Sequence, residues 1–230
     1  MRKAFWGMLV AGALLAGIMV SGLPGAGGPG PRAQPAQRDG YLVLAVSWTP
    51  SWCAAEGDSR GAARCAADAG AGWLVHGLWP QHDNGGWPEF CASPHPAPRA
   101  TLLEGMVDIM GDAGLAAYQW RKHGSCTGLD PAQYFAQTRA AFTALEFPEV
   151  LGPGRMLADS GQRHAPEAVL AAFHRANPAF TSDSMVLTCR DGKAQDIRLC
   201  LTNEGAPRTC DAALLARSCR ARQVTLPPVR

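Results

Sequence analysis

The chain has 230 residues, 47% hydrophobic and 17% charged, and a formal net charge of +2. Arg2 and Lys3 lie in an N-terminal segment read below as cleaved, which leaves the rest of the protein close to neutral. That balance excludes a protein that holds nucleic acid mainly through a broad basic surface, so any such contact has to be made locally.

Met1-Arg2-Lys3 is followed by an apolar segment from Ala4 to about Val20, then by a stretch rich in glycine and proline up to Gly40. This pattern predicts a secretory signal peptide over residues 1–26, with an approximate cleavage site, and a flexible leader over 27–40. A single-pass anchor competes with that reading because the run approaches spanning length. Its Gly and Ala content and the small residues from Ser21 to Ala26 favour cleavage. The expected location is therefore periplasmic or secreted, with no stable membrane association once the signal is gone. Residues 41–230 carry no internal repeat and no second boundary, and are long enough for a single domain with its own core.

All 8 cysteines fall after the leader, and their number is even. In an exported protein that inventory predicts disulfides. A zinc site would want close Cys-x-x-Cys pairs, and none occurs. Roughly a hundred pairings are open to such a set, and spacing does not choose among them.

In chain order, Tyr41 to Trp48 is a continuous apolar run of strand length, as for a strand buried on both faces. Thr49-Pro50-Ser51 breaks it, and residues 54–72 read as a small, polar loop. A second strand is expected at Trp73-Leu-Val-His76-Gly-Leu-Trp79-Pro80. An apolar run that ends in histidine, glycine, tryptophan and proline is an odd finish for a structural strand. Gly77 permits close approach of a ligand or backbone, and Pro80 is expected to stop the ladder. Trp79 then flanks the cleft that His76 enters. The residues that follow, Gln81 to Pro88, have turn chemistry throughout. Trp48, Trp52 and Trp73 read as core, whereas Trp79 and Trp87 are equally suited to stacking on unpaired bases. His82 and His95 read as exposed and noncatalytic.

Two helices are predicted at Thr101–Met110 and Leu115–His123, divided by Gly111-Asp112-Ala113-Gly114. In the second, Gln119 and His123 are four apart, as are Tyr118 and Lys122, so one face carries all four. Gly124 stands where a helix-ending glycine belongs. Further helices are expected over Pro131–Leu145 and residues 165–175; His164 and His174 have no evident partners. Two strands at Ser184–Cys189 and Ile197–Thr202, with a turn at Asn203–Pro207, form a hairpin-like end.

The stretches His76-Gly-Leu-Trp-Pro80 and Lys122-His-Gly-Ser-Cys126, in this order and spacing, resemble the two motifs of the ribonuclease T2 family. The resemblance runs from about Tyr41 to Cys219. It implies an α+β fold with a mainly antiparallel central sheet flanked by helices. It also implies the disulfides Cys53–Cys65, Cys91–Cys126, Cys189–Cys219 and Cys200–Cys210. The second of these would fix the two walls of a cleft.

In function, the resemblance implies a metal-independent endoribonuclease. It would cut single-stranded RNA through a 2′,3′-cyclic phosphate, with low to moderate base specificity, as a monomer without cofactor or metal. DNA, which lacks the attacking hydroxyl, would be inert. His123 would be the general base, His76 the general acid, and Lys122 the stabiliser of the transition-state charge, with Gln119 beside them. Tyr118, Trp79, Gln81 and Trp87 would contact substrate, Gln81 reading a base edge. Histidine suits both proton-transfer roles because it titrates near neutrality.

Two residues depart from the family pattern, which often reads His-Glu-Trp where this chain has Tyr118-Gln119-Trp120. An amide orients and hydrogen-bonds but cannot share a proton, so His123 is expected to titrate lower than it would beside a glutamate. The departures keep open a catalytically weak T2-like module that binds RNA or protein. A metal-dependent phosphoesterase using His76, His82 and Asp83 is a further reading, but the sequence has no acidic cluster to hold the metal.

Overall fold

The computed structural model describes residues 40–148 and 163–230. The segments expected to be a signal peptide and, but for Gly40, a leader lie outside these residues. Four antiparallel strands form one sheet: β1 Tyr41–Trp48, β2 Trp73–Gln81, β3 Met185–Arg190 and β4 Lys193–Leu201, in the order β2-β1-β4-β3. The unbroken apolar run of β1 follows from its inner position. Leu42, Leu44, Val46 and Trp48 enter the main core, while Tyr41 and Val43 pack in a smaller cluster on the opposite face.

The main core is roofed by helices. These are α1 Thr49–Trp52, α2 Ala100–Glu104, α3 Val107–Met110, α4 Ala113–Lys122, α5 Pro131–Thr143 and α6 Pro166–Ala176, with the short α7 Ala212–Leu215 near the C-terminus. Of these, α3 to α6 send Ile109, Met110, Ala116, Trp120, Tyr134, Phe135, Val169 and Phe173 onto the sheet. Leu214 of α7 packs instead with Tyr41 and Val43 on the other face. The starts of α4 and α5 are written locally. Asp112 accepts from Leu115 N at 2.7 Å, and Asp130 with Gln133 forms a reciprocal capping box ahead of Pro131. Among the described residues, no helix is long and apolar enough to cross a membrane.

The register of β2 contains the feature on which the site depends. Ala45 faces Gly77 and Val46 faces Val75, so His76 has no opposite residue and occupies a β-bulge. A bulge shifts the inward parity of a strand by one. Trp73 and Val75 point to the core before it, Leu78 after it, and His76 is turned to the other face with Trp79. Pro80 does not end the ladder as expected: Leu42 pairs with Pro80 and Tyr41 with Gln81. Because β2 is an edge strand, a residue lacking an N–H is tolerated there.

Several boundaries differ from the sequence expectations. The helix over Thr101–Met110 is two short segments joined at Gly105 and Met106. Arg139 of α5 fills that joint, donating to the Gly105 carbonyl at 2.5 Å and to both Asp108 oxygens at 2.7 Å. The loop over 54–72 contains a π-helical turn at Cys53–Gly57 and a 3₁₀ turn at Ala63–Cys65. β4 begins at Lys193 rather than Ile197, and the tight turn of its hairpin is Asp191-Gly192, both at positive φ. Asp-Gly is a strong two-residue hairpin signal. The Asn203–Pro207 turn exists as well, closing on a bridge between Leu201 and Pro207. Trp52 is half-buried, with the Arg64 guanidinium 3.9 Å over its ring. His82 and His95 are half-buried rather than exposed. The His174 ring meets the Phe180 carbonyl, and His164 exchanges backbone hydrogen bonds with Val224.

Four disulfides join Cys53 to Cys65, Cys91 to Cys126, Cys189 to Cys219 and Cys200 to Cys210, the pairs implied by the family resemblance. Gly124 is not a left-handed helix end. It opens a 3₁₀ turn over Gly124–Cys126, and a Cβ there would lie 2.5 Å from Trp120 Cε3 and 3.0 Å from Tyr134 Cδ1. Close packing of two core aromatics therefore demands glycine.

Two stability outcomes follow. Gly124→Ala overpacks that contact and is expected to lower unfolding free energy by about 1 to 3 kcal/mol; an unchanged urea midpoint would contradict the packing explanation. Replacing Cys91 and Cys126 together by Ala opens a 35-residue separation and is expected to cost about 3 to 4 kcal/mol in the same assay.

Candidate active site

The site lies on the sheet face opposite the main core, where β2 meets α4. Gln119 and His123 on α4 flank a stripe, Ala116 and Trp120, that is buried in the core. α4 therefore grips the edge of the sheet with one stripe and presents the neighbouring one to β2. Tyr118, Gln119, Lys122 and His123 all line a cleft of about 330 Å³, together with His76, Trp79, Gln81 and Trp87. The structure thus brings together the eight residues to which the sequence resemblance gave catalytic or substrate-contacting roles.

Trp79 stands between the two histidines. Its ring centroid is 5.1 Å from that of His76, edge-on at 81°, and 5.5 Å from that of His123, tilted at 34°. Its indole Nε1 donates to Gln119 Oε1 at 2.8 Å. That hydrogen bond passes directly over Gly77, where a Cβ would fall 2.1 Å from Gln119 Oε1 and 2.4 Å from Trp79 Nε1. The close approach expected at Gly77 is made by a side chain from α4, not by a ligand or a neighbouring backbone.

The two histidines sit in different environments. His123 is 6% exposed, and its Nδ1 is buried without a hydrogen-bond partner. Burial, then the charges of Lys122 and His76, lower its pKa to about 3. The side chain of His76 is 40% exposed, with Nδ1 facing Asp196 Oδ1 at 3.7 Å. Lys122 Nζ is 3.3 Å from Glu89 Oε2.

The loop after β2 is fastened to the end of α4 in a second way besides Cys91–Cys126: Phe90 N donates to the Lys122 carbonyl at 2.8 Å, one of the orphan acceptors of a helix end. Gln81 is 7% exposed and its Nε2 donates to the Pro80 carbonyl at 2.9 Å. Trp87 is 39% exposed beneath the Arg217 guanidinium, 4.7 Å from its ring centroid. Tyr118, also 39% exposed, stands edge-on to Phe90 at 6.3 Å.

Three residues of the site were absent from the sequence expectations. Ser47 of β1 and Asp196 and Arg198 of β4 lie on the site face, Ser47 cross-strand from Asp196. Arg198 reaches 5.2 Å over the Trp79 ring and 3.1 Å from Asp196. The signal for them was alternation: Ile197, Leu199 and Leu201 point to the core, which leaves Asp196 and Arg198 on the opposite side of the strand.

His76, His82 and Asp83 do not form a metal-ligand group; Asp83 instead pairs with Arg208 at 2.9 Å. Among the described residues the one cluster of ligand types is Cys53, Asp58 and Cys65, whose two thiols are joined in a disulfide.

Comparison with known proteins places this architecture. Residues 39–210 match the model of the Ribonuclease T2 family. The "Probable ribonuclease" of Haemophilus influenzae is 35% identical over 119 residues, 47% of this chain and 44% of that protein. Ribonuclease I of Escherichia coli is 28% identical over 191 residues, 66% of this chain and 70% of that protein. The chain spans about half the length of the first curated relatives it matches. Among solved structures, an RNase-related protein from Calystegia sepium superposes with a TM-score of 0.68 at 20% identity, over 84% of this chain and 100% of that one. With the family model matching most of the chain and the fold shared over its described length, the chain belongs to the ribonuclease T2 family.

Proposed function

We propose that the protein is an exported, metal-independent endoribonuclease that cleaves single-stranded RNA by transphosphorylation. The observation that carries this reading is the pair of histidines on either side of Trp79, one buried and one facing a carboxylate, with Lys122 in the same cleft. Family membership supports the reaction class, and the four disulfides support an oxidising compartment, periplasmic or extracellular.

In the reaction, neutral His123 takes the proton of the ribose 2′-hydroxyl. The 2′-oxygen forms a bond to phosphorus as the bond from phosphorus to the 5′-oxygen breaks, and His76 gives its proton to that departing oxygen. The products are a 2′,3′-cyclic phosphate and a 5′-hydroxyl. Lys122 stabilises the charge gathered on the phosphorane oxygens, and the Tyr118 hydroxyl is placed to hydrogen-bond the phosphate. Trp79, Gln81 and Trp87 form the walls for a base on one side of the histidines. A second groove of about 1000 Å³ continues past His76 toward Arg60 and Arg64, which accommodates the chain on the other side of the scissile phosphate. A folded chain of this kind acts as a monomer and leaves DNA uncut.

A second reading, a T2-like module that binds RNA or protein with little turnover, is favoured by one feature of the sequence: Tyr118-Gln119-Trp120 departs from the family pattern His-Glu-Trp and leaves the cleft without a carboxylate beside His123. Turnover separates the two. Purified, oxidised protein incubated with polyuridylate in excess EDTA is expected to release cyclic-phosphate ends. His76→Ala and His123→Ala should each lower the rate about 10²- to 10⁴-fold. RNA bound but uncut would establish the module instead.

The environment of His123 gives a pH prediction. A base whose pKa is lowered to about 3 stays neutral, and competent, at every pH above that value. The acid limb of kcat/KM, which reports the free enzyme, is therefore expected far below the ordinary histidine range near 6.5. Gln119→Glu adds a carboxylate beside the ring, favours the imidazolium, and should move that limb upward. An acid limb that stays put in Gln119→Glu would remove Gln119 from any role in setting the base.

A further inference from the structure

Asp196 has a place in the site but no role in the reaction as written so far. It is 7% exposed, and a carboxylate buried to that degree is costly unless charged or hydrogen-bonded groups surround it. Three do. The Ser47 hydroxyl donates to Oδ1 at 2.5 Å, Arg198 Nη2 donates to Oδ2 at 3.1 Å, and His76 Nδ1 stands 3.7 Å from Oδ1. Burial pushes the Asp196 pKa up, but the nearby His76, then Arg198 and Ser47, outweigh it and bring the value down to about 2. The group is a carboxylate throughout the working range.

Its relation to His76 is directional. His76 Nδ1 is buried with no hydrogen-bond partner, and Asp196 is the carboxylate in front of it. The separation is about half an ångström beyond a hydrogen bond, a gap that a small turn of a 40% exposed ring closes. Catalytic hydrogen bonds are often long before substrate binds. The other groups around the imidazole serve elsewhere. Trp79 meets it edge-on, Arg198 is a cation held by Asp196 itself, and Gln119 is engaged with Trp79. His123 and Lys122 across the cleft offer no compensating negative charge.

We propose that Asp196 is the positioning residue of His76: it accepts a hydrogen bond from Nδ1–H, holds Nε2 toward the departing 5′-oxygen and compensates the positive charge of the imidazolium. Ser47 and Arg198 aim the carboxylate from the neighbouring strand and from two residues along β4. The inference rests on the reaction given above, in which His76 is the proton donor. It deepens that reaction by a residue that touches no substrate.

The test uses two substrates that differ only in their need for an acid. Uridylyl-3′,5′-uridine has a poor leaving oxygen that must be protonated; the 4-nitrophenyl ester of uridine 3′-phosphate has one that leaves without a proton. In Asp196→Asn, kcat on the dinucleotide is expected to fall about 10- to 100-fold, as for other residues that orient a functional histidine, with KM within about threefold. The nitrophenyl ester should be cleaved within about threefold of the wild-type rate. His76→Ala should show the same selectivity more deeply, and adding Asp196→Asn to it should cost nothing further. Asp196→Glu, which keeps the charge, should recover part of the dinucleotide rate.

Equal losses on both substrates would make Asp196 a purely structural residue, and an unchanged dinucleotide rate would overturn the proposal outright. If Asp196→Asn does not fold, ¹⁵N NMR of the wild type bound to uridine 3′-phosphate decides. A low-field Nδ1 proton, assigned to His76 by its loss in His76→Ala, is expected, and its absence refutes the contact. A wild type that cleaves neither substrate would remove the functional reading and the inference with it, whereas normal cleavage without an effect of Asp196→Asn removes the inference alone.

Discussion

The indole–amide hydrogen bond from Trp79 to Gln119 is the constraint around which the site is assembled. It joins the edge strand β2 to α4, two elements about forty residues apart in the chain, at the one place where both histidines lie within a ring's width. Its geometry is set by an absence: Gly77 carries no Cβ, so the amide can lie flat across the strand. The disulfide Cys91–Cys126 and the Phe90–Lys122 backbone bond fasten the loop that follows β2 to the C-terminal end of α4 and the turn after it. Two hydrogen bonds and a disulfide therefore hold α4 against β2 and its following loop, and the scaffold sets the separation of the histidines.

Within that frame the two imidazoles are differentiated by environment alone. His123 is enclosed and beside Lys122, so its neutral form is strongly favoured; His76 is half open and faces a buried carboxylate. Placing one group where charge is costly and its counterpart where charge is compensated is how a pair of like residues is divided into base and acid. Cations at Lys122 and Arg198 and anions at Glu89 and Asp196 are paired within the site.

Gln119 illustrates how a departure from a family pattern can be read twice. As a sequence feature it is a lost charge beside His123. In three dimensions its carbonyl oxygen is the acceptor for Trp79, a task that an amide performs without adding a negative charge next to His123. The low pKa of His123 has burial as its largest cause, with Lys122 and His76 next, so Gln119 acts by leaving that balance undisturbed.

The sequence by itself determined the central strand from its unbroken apolar run. It also gave the paired rows of α4 from four-residue spacing, the family from two short motifs, and through that family the disulfide partners. These are local or inherited signals, each carried by a few adjacent residues. Tertiary structure alone decided the rest. The bulge that brings Trp79 onto the same face as His76 depends on the register between β1 and β2, and register is a property of two strands. Gly124 looked like a helix terminator and is instead a packing requirement of Trp120 and Tyr134, which lie on different helices. The break near Gly105 is filled by Arg139 from α5. Asp196 and Arg198 join the site from the far end of the chain because β4 pairs with β1. No motif names them; only strand order brings a carboxylate from position 196 to the ring of a histidine at position 76.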